Sequence, residues 1–332
     1  MKESLSKSKI TFSLCLIILT FLIGKLGYSQ EVKIDKFPNR PITLIVPWSP
    51  GTSADTAFRL LGKEAEKYLG QPVIVINKAG GGGTIGLGAI ATAKPDGYTI
   101  GHSPGAGSQF VLPFLQNVPY HTVRDFRQIM QFCILNTGVI VKANSPFKSL
   151  KDLITYARQN PKKLTYGTNA PNSIGNIIME QIARREEVQF THIPFKGSTE
   201  YQTALLGGHV LFTVGDINYS LVESGETRIL LFLQERFGEY PQIPALKDLG
   251  YDINCPNFMG IMGPKDIPDE IAEKIEKAFT DAMKAPAFIK GMKDLRLAIF
   301  YRTGKEFEAY VAHTYEVFSK VLEEMGLIKK PL

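Results

Sequence analysis

The chain has 332 residues, enough for about two domains that each bury their own core, and its 44% hydrophobic and 21% charged residues exclude wholesale disorder. Three cysteines exclude a disulfide-rich scaffold or a four-cysteine zinc site. The formal charge of +6 falls to +3 once Lys2, Lys7, Lys9, Lys25 and Glu3 are set aside (38 basic and 32 acidic residues become 34 and 31), too mild and too dispersed for nucleic-acid binding.

Met1 to Lys9 is short and basic, and Ile10 to Gly24 then runs fifteen residues without a charge. Gly27 and Ser29 stand at the −3 and −1 positions of a cut before Gln30, so residues 1–29 read as a cleaved secretory signal. Fifteen apolar residues fall short of the roughly 20 that a spanning helix needs. Phe12-Ser-Leu14 also lacks the small residue that precedes a lipoprotein cysteine, here Cys15. The mature chain is therefore expected outside the cytoplasm, in the periplasm. There Cys133 and Cys255 read either as buried free thiols or as a pair.

Pro41 to Val46 reads as a buried strand that breaks at a turn-rich loop, Pro47 to Asp55. Phe58, Leu61, Ala65 and Leu69 follow at helical spacing and stop at Gly70. The grammar repeats with a strand at Pro72–Ile76, a loop at Asn77–Gly83 and a short helix at Thr84–Ala93. Tyr98–Gly101 predicts a third strand. A third strand–loop–helix unit runs through Leu164–Gly167, Thr168–Ser173 and a helix with Ile174, Ile177, Ile178 and Ile182 on one face. Such alternation predicts α/β layers with largely parallel sheets. Two apolar extended runs, Phe132–Val141 and Asn254–Met262, are candidates for passages between domains. Each is followed by proline-bearing turns and a helix, Leu150–Gln159 and Ile267–Met283.

Two motifs invite catalytic or cofactor readings. Gly81, Gly83 and Gly86 form GxGxxG directly after a strand, but that strand is the second of the mature chain. No acidic residue follows at about 20 positions, and no Lys-Ser/Thr follows the glycines. What remains is bare backbone N–H at a helix start, suited to an anion. Gly101-His-Ser-Pro-Gly105 matches the GxSxG of esterases. The residue after Ser103 must then donate its N–H to an oxyanion, and Pro104 has none, a loss of roughly 2.7–4 kcal/mol. His102, His121, His192, His209 and His313 show no metal-binding spacing, so neither a metal nor a cofactor is expected.

At least three loops feed helix starts with Gly, Ser, Thr and Asn, and no catalytic dyad accompanies them. A helix start favours an anion by about 0.3–1 kcal/mol and a charged hydrogen bond adds roughly 1.5–3 kcal/mol. A micromolar complex needs about 8.2 kcal/mol net, within reach of a handful of such donors. The pattern points to a solute receptor without chemistry of its own.

From about Phe37 to Leu327 the chain resembles the Bug-type receptors, the substrate-binding subunits of tripartite tricarboxylate transporters. The residues that carry the likeness are Phe37-Pro-Asn-Arg-Pro-Ile42, Val46-Pro-Trp-Ser-Pro-Gly-Thr-Ser-Ala-Asp55 with Arg59, Asn77-Lys-Ala-Gly-Gly-Gly-Gly-Thr-Ile-Gly86 and Lys94-Pro-Asp-Gly-Tyr-Thr99. Further on come His192-Ile-Pro-Phe-Lys-Gly197, Leu205-Leu-Gly-Gly-His209, and Gly263-Pro with Pro268. The resemblance implies a type II periplasmic-binding-protein fold, two α/β domains joined by two crossing hinge strands. It places domain 1 at 30–132 and 256–332 and domain 2 at 133–255. Both cysteines then lie at the hinge, where a disulfide is an expectation to test.

The resemblance also implies a small organic acid held in the interdomain cleft and passed to transporter membrane subunits by a monomeric receptor. By position, domain 1 would offer Trp48, Ser49, Gly51, Thr52, Ser53, Asp55, Ala79, Gly81, Gly82, Gly83, Thr84 and Ser103. Domain 2 would offer Thr168, Asn169, Ala170, Asn172, Ser173, Phe195, Lys196, Gly197 and Asp216. Two departures stand out: Thr52 replaces the second of two adjacent glycines, and Leu211 an aspartate. Asp216 would repel a second carboxylate or attract a ligand amino group, so a dicarboxylate, an amino acid and an aromatic acid all fit. A ligand-presenting sensor and an exported serine esterase using Ser103 are the alternative functions.

Overall fold

Ile42–Val46 (β1) is almost wholly buried, as a strand inside a parallel sheet covered on both faces must be. It belongs to a computed structural model that describes residues 37–328, of which Pro38 onward forms one compact unit. The proposed signal segment lies outside the described residues.

After β1 the chain forms α1 (Ser53–Leu69), β2 (Val73–Asn77), α2 (Thr84–Ala91) and β3 (Thr99–Gly105). It continues with β4 (Phe126–Ile134), β5 (Thr137–Lys142), α3 (Leu150–Gln159), β6 (Thr165–Thr168), α4 (Ile174–Glu186), β7 (Thr191–Pro194) and α5 (Ser198–Leu206). Then come β8 (Phe212–Asp216), β9 (Thr227–Phe232), β10 (Asn257–Pro264), α6 (Asp269–Ala282), α7 (Pro286–Asp294), β11 (Ala298–Thr303) and α8 (Gly304–Glu324).

The strands make two sheets, ordered β11-β4-β10-β3-β1-β2 and β7-β6-β8-β5-β9. In the first, β1 pairs in parallel with β2 and β3, while β10 runs antiparallel to both β3 and β4. In the second, β6 pairs in parallel with β7 and β8, and β5 runs antiparallel to β8 and β9. The chain leaves the first sheet after Ile134, enters the second at Thr137, and returns between Phe232 and Asn257. Each sheet thus anchors one α/β lobe.

Local chemistry sets the helix ends. The Thr52 side chain accepts from the Asp55 N–H to start α1, and Gly70 ends it with φ 67°. Ser149 with Asp152, and Thr303 with Glu306, form capping boxes for α3 and α8. Val139, Leu153, Tyr166, Ile178, Ile182, Phe212 and Leu231 build the core of the second lobe.

Cys133 and Cys255 are both buried and free, the first of the two readings of the pair rather than the hinge disulfide. The reason is placement: Cys133 donates its Sγ–H to the Ile134 carbonyl within β4, while Cys255 joins the second lobe's core and accepts from Gln234.

Candidate functional site

Parallel strands end at the same edge of a sheet, so the loops after β1, β2 and β3 gather at one edge of the first lobe. The loops after β6 and β8 do the same on the second. Between them lies a cavity of about 660 Å³. A depression of about 770 Å³ elsewhere is larger, but apart from Tyr315 it is lined by one stretch, Pro113–Asp125, of the first lobe alone.

Thr52, Ser53 and Ala54, the cap and first turn of α1, stand in the cavity wall, as do Ser173, Ile174 and Gly175 of α4. The first N–H groups of a helix have no intrahelical acceptor. Among the described residues, those of Ser53, Ala54, Ile174 and Gly175 have no protein acceptor either. Two helix starts, one from each lobe, thus present donors and positive dipole ends to one space.

The α1 loop is held from behind. Asp55 is 3% exposed and accepts from the Gly51 N–H (2.9 Å), from Arg59 Nε (3.0 Å) and from Asn77 Nδ2 (2.9 Å). Asn77 also donates to the Trp48 carbonyl at 2.9 Å and accepts from Arg59 at 2.8 Å. Burial alone would raise the Asp55 pKa, but the bonds from Arg59, Gly51 and Asn77 together bring it below the usual carboxylate value. Asp55 and Gly51 therefore shape the loop and do not line the cavity, a correction to their expected role.

Thr52 does reach the wall, but its hydroxyl proton goes to the Ser49 carbonyl at 3.0 Å. Its capping of α1 explains why a threonine suits this position.

The glycine loop is bent by four consecutive positive φ angles, 127°, 58°, 65° and 97° at Gly80 to Gly83. Only Gly82 lines the cavity. Gly83 packs behind it, where an added Cβ would meet Ser108 Oγ at 3.0 Å and the Trp48 ring at 3.4 Å. Thr84 turns its hydroxyl onto the Gly81 carbonyl at 3.0 Å. Ala79, Gly81, Gly83 and Thr84 are thus outside the wall.

On the second lobe Thr168 is fully buried and organises its loop. It donates to the Ala170 carbonyl (2.9 Å) and accepts from Ser173 (2.9 Å), so the contact with His192 Nε2 at 2.8 Å is an N–H donation. Asn169, Ala170, Asn172 and Ser173 are brought to the cavity. Phe195, Lys196 and Gly197 are not: Phe195 packs over α5, and the Lys196 N–H donates to Glu200.

Ser103 is buried and donates to Gln109 Oε1 at 3.1 Å, away from the cavity. It lies inside β3, which continues to Gly105 opposite β10, with Ser103 facing Gly260. The sharp exposed turn an esterase nucleophile requires is absent, and Ser103 drops out as a site residue.

His102, one residue earlier, is the residue sequence reasoning missed. It is 1% exposed, lines the cavity floor and stacks near Phe58 at 4.6 Å between ring centroids. Neither ring nitrogen has a hydrogen-bond partner among the described residues. Burial pushes its pKa down to about 3; an opposing contact with the Phe258 backbone stays outside hydrogen-bond geometry. The imidazole is neutral. Val111, Leu112, Leu115, Val214 and Met259 add an apolar wall. Asp216 closes the site at the end of β8.

The family model for the tripartite tricarboxylate transporter family receptor (TctC) matches residues 57–327. The chain belongs to this family. Its members are solute-binding receptors rather than enzymes. A UPF0065 protein from the gbd 5' region of Cupriavidus necator is 34% identical over 312 residues, covering 93% of this chain and 95% of that one. Protein BugT of Bordetella pertussis is 27% identical over 316 residues, 94% and 97% of the two chains. A TctC solute-binding protein from Polaromonas shares the fold, with a TM-score of 0.79, 24% identity and coverage of 87% and 99%. The chain thus has the periplasmic-binding-protein fold that its motifs imply.

Proposed function

We propose that this TctC-family receptor works outside the cytoplasm, captures a small carboxylate in the cavity between its lobes and delivers it to transporter membrane subunits. The observation that carries this reading is the convergence of the α1 and α4 starts on one cavity without a lysine or arginine among its lining residues. Backbone donors and dipoles favour an anion there. The apolar wall suits the body of a small organic acid. Closure of the lobes over the ligand is the change a membrane partner would read.

Thermal unfolding of the mature protein, refolded free of carried-over ligand, tests this against a panel of small carboxylates. An acid at a hundred times its dissociation constant adds about 2.7 kcal/mol, a rise of several degrees. Stabilisation by uncharged solutes and by no carboxylate would contradict it.

A further inference from the structure

Arg296, in the turn between α7 and β11 of the first lobe, reaches across to the second. Its guanidinium pairs with Glu239 at 2.7 Å and with Glu223, which ends the short helix Tyr219–Glu223. It also lies over the Tyr219 ring, 5.8 Å from the centroid. Tyr219 stacks on Tyr240 and packs beside Phe237, so both acids flank one aromatic cluster of the second lobe.

The backbone at Arg296 is unusual for an arginine. Leu295 ends α7, and the Leu297 N–H returns to the Met292 carbonyl at 2.9 Å. Arg296 therefore takes the left-handed position of a helix stop, with φ 56°, where glycine is the ordinary choice. Its own backbone disfavours a side chain there, and the contacts that this side chain makes on the other lobe offset that.

The connection from Ile134 to Thr137 tells which side of the hinge these pairs occupy. Leu135 and Thr137 line the ligand cavity, whereas Ile134 and Asn136 line a separate groove of about 380 Å³. Glu239 lines that groove too, as do Lys293 and Leu297 on either side of Arg296. The Arg296 pairs thus bridge the lobes behind the connection, away from the cavity. A rotation about the connection that closes the cavity in front widens the groove behind, and draws Arg296 from its acids.

We infer that Arg296, with Glu223 and Glu239, is a latch that favours the open cavity and sets the equilibrium of lobe closure. The inference rests on the closure proposed above and adds the element that opposes it. Exposed ion pairs are individually weak, so the latch biases the lobes and does not lock them. A ligand that binds the closed form gains apparent affinity by the factor that loss of the latch adds to that form.

The test reads the lobes of the mature protein without ligand. A spin label at Lys196→Cys, exposed in the loop after β7, relaxes the Asn77–Gly83 amides of the first lobe more strongly as the cavity closes. Cys133 and Cys255 are buried and escape the label. Arg296→Gln is expected to raise the excess relaxation roughly two- to fivefold. Glu223→Gln with Glu239→Gln should do the same, and adding Arg296→Gln to that pair should change nothing further. Raising salt from roughly 0.05 to 0.5 M should raise the relaxation where the latch is intact and leave the variants unmoved. Unchanged or weaker relaxation on loss of the pairs would overturn the inference, as would effects of the two sets that add in full. Should Arg296→Gln fail to fold, the acid variants and the salt series decide alone. Because no ligand is present, failure of every carboxylate to bind would overturn the carboxylate reading and leave the latch to this measurement.

Discussion

Asn77 Nδ2 lies 2.9 Å from Asp55 Oδ1, tying the end of β2 to the first turn of α1 across 22 residues of chain. Through the same amide Asn77 holds the Trp48 carbonyl, and Asp55 holds the Gly51 N–H. Pro47–Thr52 is thus positioned by a buried carboxylate that never meets the cavity. Asp55→Ala would strand the Gly51 and Asn77 donors and remove the carboxylate that Arg59 pairs with. The expected destabilisation is about 2–4 kcal/mol by urea unfolding, with a shift in Trp48 emission.

Asp55 also contributes to the acid limb of stability. Its folded pKa is below the ordinary 3.8, so its contribution is complete above that value and is lost as pH falls through the folded pKa. Asp55→Asn should flatten the stability profile below about pH 4. An unchanged acid limb would show that Asp55 does not carry its charge as described.

His102 acts at higher pH. Its pKa falls from an ordinary 6.5 to about 3 on folding, so the unfolded chain takes up the proton first. Stability from the neutral ring is full above 6.5 and declines as pH falls toward 3, by up to about 1.4 kcal/mol per pH unit. His102→Leu should remove that slope and leave the unliganded protein as stable or more stable at neutral pH, because it replaces an unpartnered buried polar group. Loss of stability at pH 7 beyond about 1 kcal/mol would point to a packing role instead.

Thr52 is a cap. Thr52→Ala should lower stability by about 1 kcal/mol, and Thr52→Gly by a few tenths. A larger loss with glycine than with alanine would contradict this.

Much of this was legible in the sequence, and the misses have physical causes. The loop-to-helix junctions at Thr52–Ser53 and Ser173–Ile174 declare themselves through capping residues next to one another in the chain. The sequence predicts a strand over Tyr98–Gly101, and in the structure β3 runs on to Gly105. In the fold its pairing with β1 stops at Gly101 and β10 alone continues alongside, so Pro104 meets no ladder that needs its N–H. That extension turns His102 toward the cavity and Ser103 away from it. Asp55 is a ligand contact only by position in the resemblance; its partner Asn77 arrives from another strand, which no local pattern announces.

Cys133 and Cys255 are buried free thiols, and burial raises the pKa of both, that of Cys255 to about 12. Ellman's reagent should therefore react with two thiols per unreduced mature chain in denaturant and with almost none in the native state. No reactive thiol after unfolding would mean that they pair.

Trp48 is the chain's one tryptophan and stands in the cavity wall, so its emission reports directly on an occupant. Titrating the refolded mature protein with small carboxylates, alongside sugars and amines without a carboxylate, puts the central claim to its most direct test. The predicted result is a saturable change in Trp48 emission with a carboxylate and none with the others. A saturable change with a sugar or a simple amine, and with no carboxylate, would contradict an anion-binding cavity between the α1 and α4 starts.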